Sequence, residues 1–540
     1  MSKAERSFVR GAAILGLAAL ISKILGAVYR VPYQNITGDE GMYVYQQVYP
    51  LYSVLLILAT AGFPTAISKL VSERLAEGNP YMARRIFRVA SVTLLLIGCL
   101  FFVILFVGAE TIAGWMGSRQ LLTMPIRSVS FALIIVPFLS AIRGYFQGQQ
   151  NMLPTAVSQV MEQLVRVVTI LVAAWYFMEA GFGYVYAGAG AVFGATTGAV
   201  AALLILMVYW KRYATPVRPE PAAMTAANPS TKQLVVRILV LSIPIGIGAL
   251  VLPLYSLVDS FTVGNLLAES GWAMDQVITE KGVFDRGQPL IQFGSFFATA
   301  IALSIVPAIA QAKTAGHMEE ASMRASLALR LTWLFGLPAS VGLAVIALPT
   351  NVMLFKDGAG SDALAILAFT ILFSTLSLTS AGVLQGFDQV ALPALHLLLG
   401  VGVKLAGNLW LVPLWDIRGA ALATTVAYAL VAGLNLWALR RHLRGALWEH
   451  FRLGRSLWAA LWMAVAVGGV RIGLETVLVP VLEYRLAMAV TALVSVMVGM
   501  LAYLWAAFRF GVLTREDLEK VPKLKAKLLP LLDRLHWLRI

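Results

Sequence analysis

The chain has 540 residues, of which 59% are hydrophobic and only 13% are charged, and its formal net charge is +15. Soluble domains carry about a quarter charged residues, so this composition excludes an ordinary soluble enzyme. Apolar runs of roughly 20 residues recur along almost the whole sequence, and each is long enough to cross a hydrocarbon core about 30 Å thick.

These runs predict an all-α integral membrane protein with fourteen transmembrane helices. The first run is too long for the core of a signal peptide and precedes no small-residue cleavage site, so we expect it to remain as helix 1. In chain order, the predicted spans are 9–31, 43–67, 89–109, 125–145, 155–178, 183–209, 237–266, 284–311, 327–349, 363–384, 393–413, 419–439, 456–476 and 486–508.

The positive charge is distributed by topology. Most of the 42 Lys and Arg residues fall in segments on one side of the predicted spans, together with the two chain ends. The positive-inside rule therefore predicts a multi-pass plasma-membrane protein with cytoplasmic N- and C-termini. Nucleic acid is not an expected partner, because the basic residues mark the cytoplasmic side.

Two pairs of similar segments indicate an internal duplication. Pro50–Ala61 resembles Pro289–Ala300 at an offset of 239 residues, and Gly144–Gly148 resembles Gly382–Gly386 at an offset of 238. The nearly equal offsets predict two six-helix lobes, 8–212 and 236–440, with the same orientation and a pseudo-two-fold axis along the membrane normal. Duplicated units of this kind are typical of transporters with a central site between the halves.

Three segments lie outside the duplication. Residues 213–235 are rich in Pro and Ala and predict a cytoplasmic linker. Helices 13 and 14, within 456–508, would either line a groove or pad the C-terminal lobe. Residues 509–540 alternate Leu and Trp with Lys and Arg and predict a cytoplasmic amphipathic tail that lies on the membrane lipids.

Ionisable side chains inside or next to spans are the candidate site residues, because such groups normally face a wet cavity or a partner. Glu162 and Arg166 are four residues apart, which also fits a structural ion pair within one helix. The duplication relates Arg166 to Lys404. The outer residues could equally be interface charges; the full set is Lys23, Arg30, Asp39, Glu40, Glu162, Arg166, Asp285, Arg286 and Lys404.

A cavity lined by these basic residues would be positive and would favour an anionic headgroup, because Arg binds phosphate bidentately. The sequence has no Walker loop, no H-E-x-x-H motif and no Cys/His cluster. We therefore expect no catalytic residue, no metal and no cofactor. Transport would draw on the membrane potential, an ion gradient or the substrate gradient.

Three segments carry a resemblance to a known family: Gly11–Tyr33, Arg143–Arg166 and Phe284–Gly294. They resemble the lipid II flippase (MurJ) family of the multidrug/oligosaccharidyl-lipid/polysaccharide exporter superfamily. The resemblance covers about residues 5–510 and is to the Gram-positive type, close to stage V sporulation protein B.

The resemblance implies that helix-1 basic residues and a helix-8 Asp-Arg pair line a central cavity and are needed for flipping. Lys23 matches the first helix-1 position, Arg30 matches the second with a one-residue slip, and Asp285-Arg286 match the pair. The acidic residue at the start of helix 2 corresponds to Glu40 or Asp39. A glutamate found in Gram-negative members is replaced by Gln288 and Pro289.

The sequence thus predicts a flippase, not an enzyme, that moves undecaprenyl-pyrophosphate-linked peptidoglycan precursor (lipid II) to the outer leaflet by alternating access. We expect a monomer whose partners are that anionic lipid and the membrane lipids, with cell-wall glycosyltransferases as further candidate partners. Alternatives are an exporter of another polyprenyl-linked saccharide, a cation-coupled drug antiporter and a non-transporting scaffold. The basic candidates weigh against the antiporter, and the cost of a buried Lys23 weighs against the scaffold.

Overall fold

The structure, a computed structural model, describes residues 3–213, 229–441, 443 and 452–514. No strand occurs in these ranges, and the fold is all-helical as expected. The helices are α1 Lys3–Val28, α2 Arg30–Thr60, α3 Phe63–Ala76, α4 Pro80–Trp115, α5 Arg119–Ser130, α6 Ala132–Gly148, α7 Leu153–Glu179, α8 Tyr184–Tyr213, α9 Thr231–Ala249, α10 Val251–Glu269, α11 Met274–Arg286, α12 Gln288–Thr314, α13 Met318–Val345, α14 Ala347–Phe355, α15 Ser361–Gly386, α16 Ala391–Leu439, α17 Leu453–Leu478 and α18 Tyr484–Arg509.

Among the described residues, ten segments are long and apolar enough to cross a membrane. Two of them, Ile14–Ala76 with 63 residues and Ala391–Leu439 with 49, each overlap two predicted spans. Large apolar side chains such as Val107 and Trp410 are more than two-thirds exposed, as expected of surfaces that face lipid. The protein is therefore a multi-pass membrane protein, and the count of fourteen helices stays a prediction.

The chain forms two compact units, Met1–Arg286 and Gly287–Ile540. The first has a core built mainly from α2 and α4–α8, and the second has a core built from α12, α13, α15 and α16. The division into lobes at 213–235 stays a prediction. Residues 214–228 of the predicted linker and 515–540 of the predicted tail lie outside the described residues.

Helix ends follow local chemistry. The side chain of Asn79 accepts a hydrogen bond from the Met82 amide at 2.9 Å and caps α4, whose first residue is Pro80. Helix α2 is interrupted at Gly38, whose φ of 73° is accessible to glycine at little cost. The predicted start of helix 8 is displaced, because Asp285 and Arg286 end α11 and the next helix begins at Gln288 with Pro289 in its first turn.

The duplicated glycines make equivalent contacts in the two units. Gly144 and Gly148 of α6 pack against Pro64–Val71 of α3, where the atoms nearest to an added Cβ would belong to Ile67, Pro64, Val71 and Ser68. Gly382 and Gly386 of α15 pack against Ala302, Val306 and Ile309 of α12, which are the same positions shifted by 238 residues. Small residues let transmembrane helices approach closely. The sequence repeat therefore preserves a helix–helix contact.

Candidate functional site

The break in α2 positions the first acidic residues. After Gly38 the helix resumes, so Asp39 and Glu40 lie within α2, whereas the predicted spans 9–31 and 43–67 leave them in the connection between two helices. Gln34 Nε2 donates to Asp39 Oδ1 at 3.0 Å across the break, and the Tyr33 hydroxyl donates to the Gly41 carbonyl at 2.9 Å. Glu40 is half-buried beside Gly38.

Arg286 and Asp39 form a buried ion pair between α11 and α2. Arg286 Nη1 lies 3.1 Å from Asp39 Oδ1, and the side chains are 1% and 14% exposed. The backbone of Asp39 passes directly over Gly282, where a Cβ would collide with the Asp39 carbonyl oxygen. A glycine thus allows the close approach that places this ion pair.

Lys281, which the sequence reasoning missed, neutralises Asp285. Its Nζ lies 2.5 and 2.6 Å from the two carboxylate oxygens of Asp285, and both side chains are buried. In this structure Asp285 pairs with Lys281 and not with Arg286, because adjacent helical residues do not face each other whereas residues four apart do. The i,i+4 spacing of Lys281 and Asp285 is the feature of the sequence from which this ion pair could be predicted. We call Asp39, Lys281, Asp285 and Arg286 the outer cluster.

Arg30 is buried at 5% exposure among tyrosines near the outer cluster. Its neighbours include Tyr29, Tyr45 and Tyr49, and its charge reaches Asp285. Within the described part of the chain, no hydrogen-bond partner meets Arg30 Nε or Nη1. Buried donors normally have partners, so these two nitrogens are available to a ligand.

Glu162 lies between two arginines in the same unit. Its Oε1 accepts from Arg166 Nη2 and its Oε2 from Arg143 Nη2, each at 2.8 Å, and Arg143 Nε also donates to the Ser158 hydroxyl. The Glu162–Arg166 ion pair is as predicted, and Arg143, which is not among the predicted site residues, is a second partner of Glu162. We call Arg143, Glu162 and Arg166 the inner cluster; its net charge is positive.

The remaining candidates are not part of either cluster. Lys404 lies in the second unit, fully buried, and its ammonium donates to the Thr424 hydroxyl. The side chain of Lys23 lies outside the described residues. Tyr49 lies close enough to interact electrostatically with both Arg30 and Arg166. No group of three potential metal ligands (His, Cys, Asp or Glu) occurs within the described ranges.

The first unit therefore contains several buried cationic side chains within an apolar helical bundle. Some of them form ion pairs, and some have hydrogen-bond donors without a partner among the described residues. Arginine forks with open donors bind oxyanions such as phosphate and carboxylate. The arrangement has the chemistry of an anion-binding site.

Two family models match the chain. The model described as polysaccharide biosynthesis protein matches residues 8–313, and the model described as lipid II flippase MurJ matches residues 290–482.

Full-length relatives come from Bacillus subtilis (strain 168). An uncharacterized membrane protein, YabM, is 39% identical over 95% of this chain and 94% of its own length. Lipid II flippase MurJ is 29% identical over 94% and 96%, and stage V sporulation protein B is 28% identical over 80% and 83%.

Solved structures share the fold. Lipid II flippase MurJ in an inward closed conformation matches with a TM-score of 0.65 at 12% identity, over 92% of this chain and 98% of that one. An inward-facing multidrug resistance MATE family transporter matches with a TM-score of 0.63 at 15% identity, over 81% and 99%. The matched proteins whose names state an activity are flippases and transporters, which confirms the expectation of a non-enzyme. The chain is a membrane protein with the transporter fold shared by MurJ and MATE proteins, and it belongs to the polysaccharide biosynthesis protein family.

Proposed function

We propose that the protein translocates an undecaprenyl-pyrophosphate-linked saccharide, with lipid II as the first candidate, from the inner to the outer leaflet of the bacterial plasma membrane. The observation that carries this proposal is Arg30, a buried guanidinium with two nitrogens that no group in the described residues satisfies. A pyrophosphate is the ligand class that fills such a fork. The 29% identity to lipid II flippase MurJ supports the choice of cargo.

The proposed mechanism is alternating access. Lys23, Arg30 and Arg286 bind the pyrophosphate or headgroup carboxylates, while Lys281 keeps Asp285 neutralised. The substrate anion competes with Asp39 for Arg286, so binding weakens one of the contacts that hold α11 against α2. A ligand shifts the conformational equilibrium only through its difference in affinity for the two states, and this competition supplies such a difference. The polyprenyl tail remains in lipid.

The membrane potential is a suitable energy source for this cargo. The cytoplasmic side is negative, so each negative charge carried outward gains about 2.3 kcal/mol per 100 mV. An ion gradient is the alternative. In this proposal the protein acts as a monomer and delivers its product to cell-wall glycosyltransferases.

A second candidate is export of another polyprenyl-linked saccharide, as in sporulation or capsule synthesis. The 28% identity to stage V sporulation protein B favours it. The chemistry at the pyrophosphate is the same, and only the sugar differs. A drug-cation antiporter needs an excess of carboxylates in its pocket. Here the cations Arg30, Arg143, Arg166, Lys281 and Arg286 outnumber the carboxylates Asp39, Glu162 and Asp285.

The test is rescue of a bacterium depleted of its lipid II flippase. We expect the wild type to restore growth, and Lys23→Ala and Arg286→Ala to fail at normal expression. Arg74→Ala, which removes an exposed arginine paired with Glu77, is the matched control and should rescue. Full rescue by both site variants would show that Lys23 and Arg286 are not needed for flipping. Failure of the wild type to rescue would rule out lipid II as the cargo.

A vesicle assay then separates the two saccharide classes. The purified protein is reconstituted and its flipping of lipid II is compared with that of undecaprenyl-pyrophosphate carrying an unrelated glycan. Preference for lipid II supports the first candidate, and preference for the other glycan supports the second.

A further inference from the structure

The inner cluster has donors that its own carboxylate does not use. Glu162 takes one bond from each of two arginines, so neither guanidinium fork is filled by a bidentate partner. The three side chains are only 11–14% exposed. One carboxylate against two guanidiniums leaves one positive charge in excess.

Two orphan donors lie at this cluster. Arg166 Nε and the Tyr52 hydroxyl are buried, and neither has a hydrogen-bond partner in the part of the chain that the structure describes. Tyr52 is fully buried and close enough to Arg166 and Glu162 to interact with both charges. A buried donor without a partner is costly, and two together with excess positive charge require an acceptor that carries negative charge.

The cluster also lies at membrane depth. Arg166 is at the centre of α7, about 20 Å from either end at a helical rise of 1.5 Å per residue. Arg143 is near the end of α6 that the topology places on the cytoplasmic side.

We propose that Arg166 and Tyr52 form an oxyanion subsite for a phosphate or carboxylate group, and that Glu162 is the internal counter-ion with which the ligand competes. Arg166 offers its Nε side and Tyr52 its hydroxyl, while Arg143 holds Glu162 aside when the ligand is bound. The competition keeps affinity moderate, which a transported anion needs in order to leave the subsite. The inference depends on the proposed function only for the identity of the cargo.

The test measures binding of inorganic pyrophosphate and of farnesyl pyrophosphate to the full-length protein in detergent, by isothermal titration calorimetry. Arg166→Gln and Tyr52→Phe should each weaken binding by about tenfold, since each removes a hydrogen bond to a charged group. Tyr503→Phe is the matched control, because its hydroxyl is also buried and lacks a partner among the described residues, but it belongs to the second unit. It should bind as the wild type does.

Charge variants distinguish a binding site from a structural clasp. Glu162→Gln removes the competitor and should tighten binding about tenfold, whereas Arg143→Gln removes the excess charge and should weaken it although both site donors remain. If the cluster only stabilises the fold, both variants should have lower thermal stability, and their affinities for pyrophosphate should not change in opposite directions. If the Glu162→Gln variant does not fold, the affinities of the Arg143→Gln and Tyr52→Phe variants still test whether the subsite binds the anion.

The outcomes separate this inference from the proposed function. If binding follows the predicted pattern but the protein does not flip lipid in vesicles, the subsite is supported and the proposed function is refuted. If Arg166→Gln and Tyr52→Phe change neither flipping nor binding, the subsite is refuted and the proposed function stands. Binding of farnesyl pyrophosphate with no competition by inorganic pyrophosphate assigns the subsite to the lipid headgroup, and equal competition assigns it to phosphate in general.

Discussion

Arg286 Nη1 donates to both carboxylate oxygens of Asp39, at 3.1 and 3.4 Å, although the two residues are 247 positions apart in the chain. The ion pair does not act alone. Gln47, fully buried on α2, donates to the carbonyls of Met116 and Ser260, and Asn265 donates to the Trp115 carbonyl. These contacts tie α10 and α11 to α2 and to the end of α4 at the predicted outer side.

Asp39→Asn should loosen the outer side. It removes the charge that Arg286 pairs with, and a hydrogen bond to a charged group contributes about 1.5–3 kcal/mol, enough to shift a two-state equilibrium tenfold or more. The measurement is labelling of the Ser260→Cys variant by a membrane-impermeant maleimide, in a protein whose single native cysteine, Cys99, is replaced by Ser. We expect labelling several-fold faster with Asp39→Asn.

The control for this experiment is Glu77→Gln, which removes the partner of Arg74 in an exposed ion pair. Exposed pairs contribute about 0–1 kcal/mol, so the labelling rate of the Ser260→Cys variant should not change. Equal labelling rates with and without Asp39→Asn would show that the Arg286–Asp39 ion pair does not hold the outer side.

Lys281 and Asp285 should depend on each other for stability. Removing one partner of a buried ion pair leaves an uncompensated charge and costs about 3–5 kcal/mol. Lys281→Met and Asp285→Leu should therefore each lower the free energy of unfolding strongly, and the double variant should lose less than the sum of the two. A double-mutant cycle of unfolding in detergent measures this coupling, and additive losses would contradict it.

Gly282→Ala should separate α11 from α2. The added methyl group would meet the Asp39 carbonyl oxygen, which belongs to the backbone and cannot rotate away. We expect lower thermal stability and loss of rescue in the depleted bacterium. Gly469→Ala in α17 is the matched control, since its Cβ would meet no described atom within 4 Å and alanine favours a helix by about 0.5–1 kcal/mol. Similar effects of both substitutions would rule out the close contact as the cause.

Both termini should lie in the cytoplasm. A fluorescent protein that folds only in the cytoplasm, fused after Ile540, should be bright, and the Ser2→Cys variant should resist an impermeant thiol reagent in intact cells. The Phe182→Cys variant, altered in the turn between α7 and α8 that is predicted to lie outside, serves as the accessible control. Labelling of the Ser2→Cys variant in intact cells would show that the N-terminus lies outside and that the predicted topology is inverted.

Much of the site chemistry could be predicted from residue type and spacing. Glu162 and Arg166 face each other because residues four apart share a helical face. The same spacing rule also predicts the ion pair of Lys281 with Asp285. The ion pair of Asp39 with Arg286 and the position of Tyr52 near Arg166 could not be predicted, since each depends on a helix far away in the chain.

Composition and the length of the apolar runs determined the all-helical membrane class, because backbone groups in hydrocarbon must be hydrogen-bonded internally and a run of about 20 residues does this as a spanning helix. The repeat of Gly144–Gly148 in Gly382–Gly386 was visible in the sequence, and each copy packs on the equivalent helix of its own unit. Only the tertiary structure decided which charges meet. Arg286 pairs with Asp39 and not with its chain neighbour, because the direction of a side chain depends on helix rotation and on the close approach that Gly282 permits.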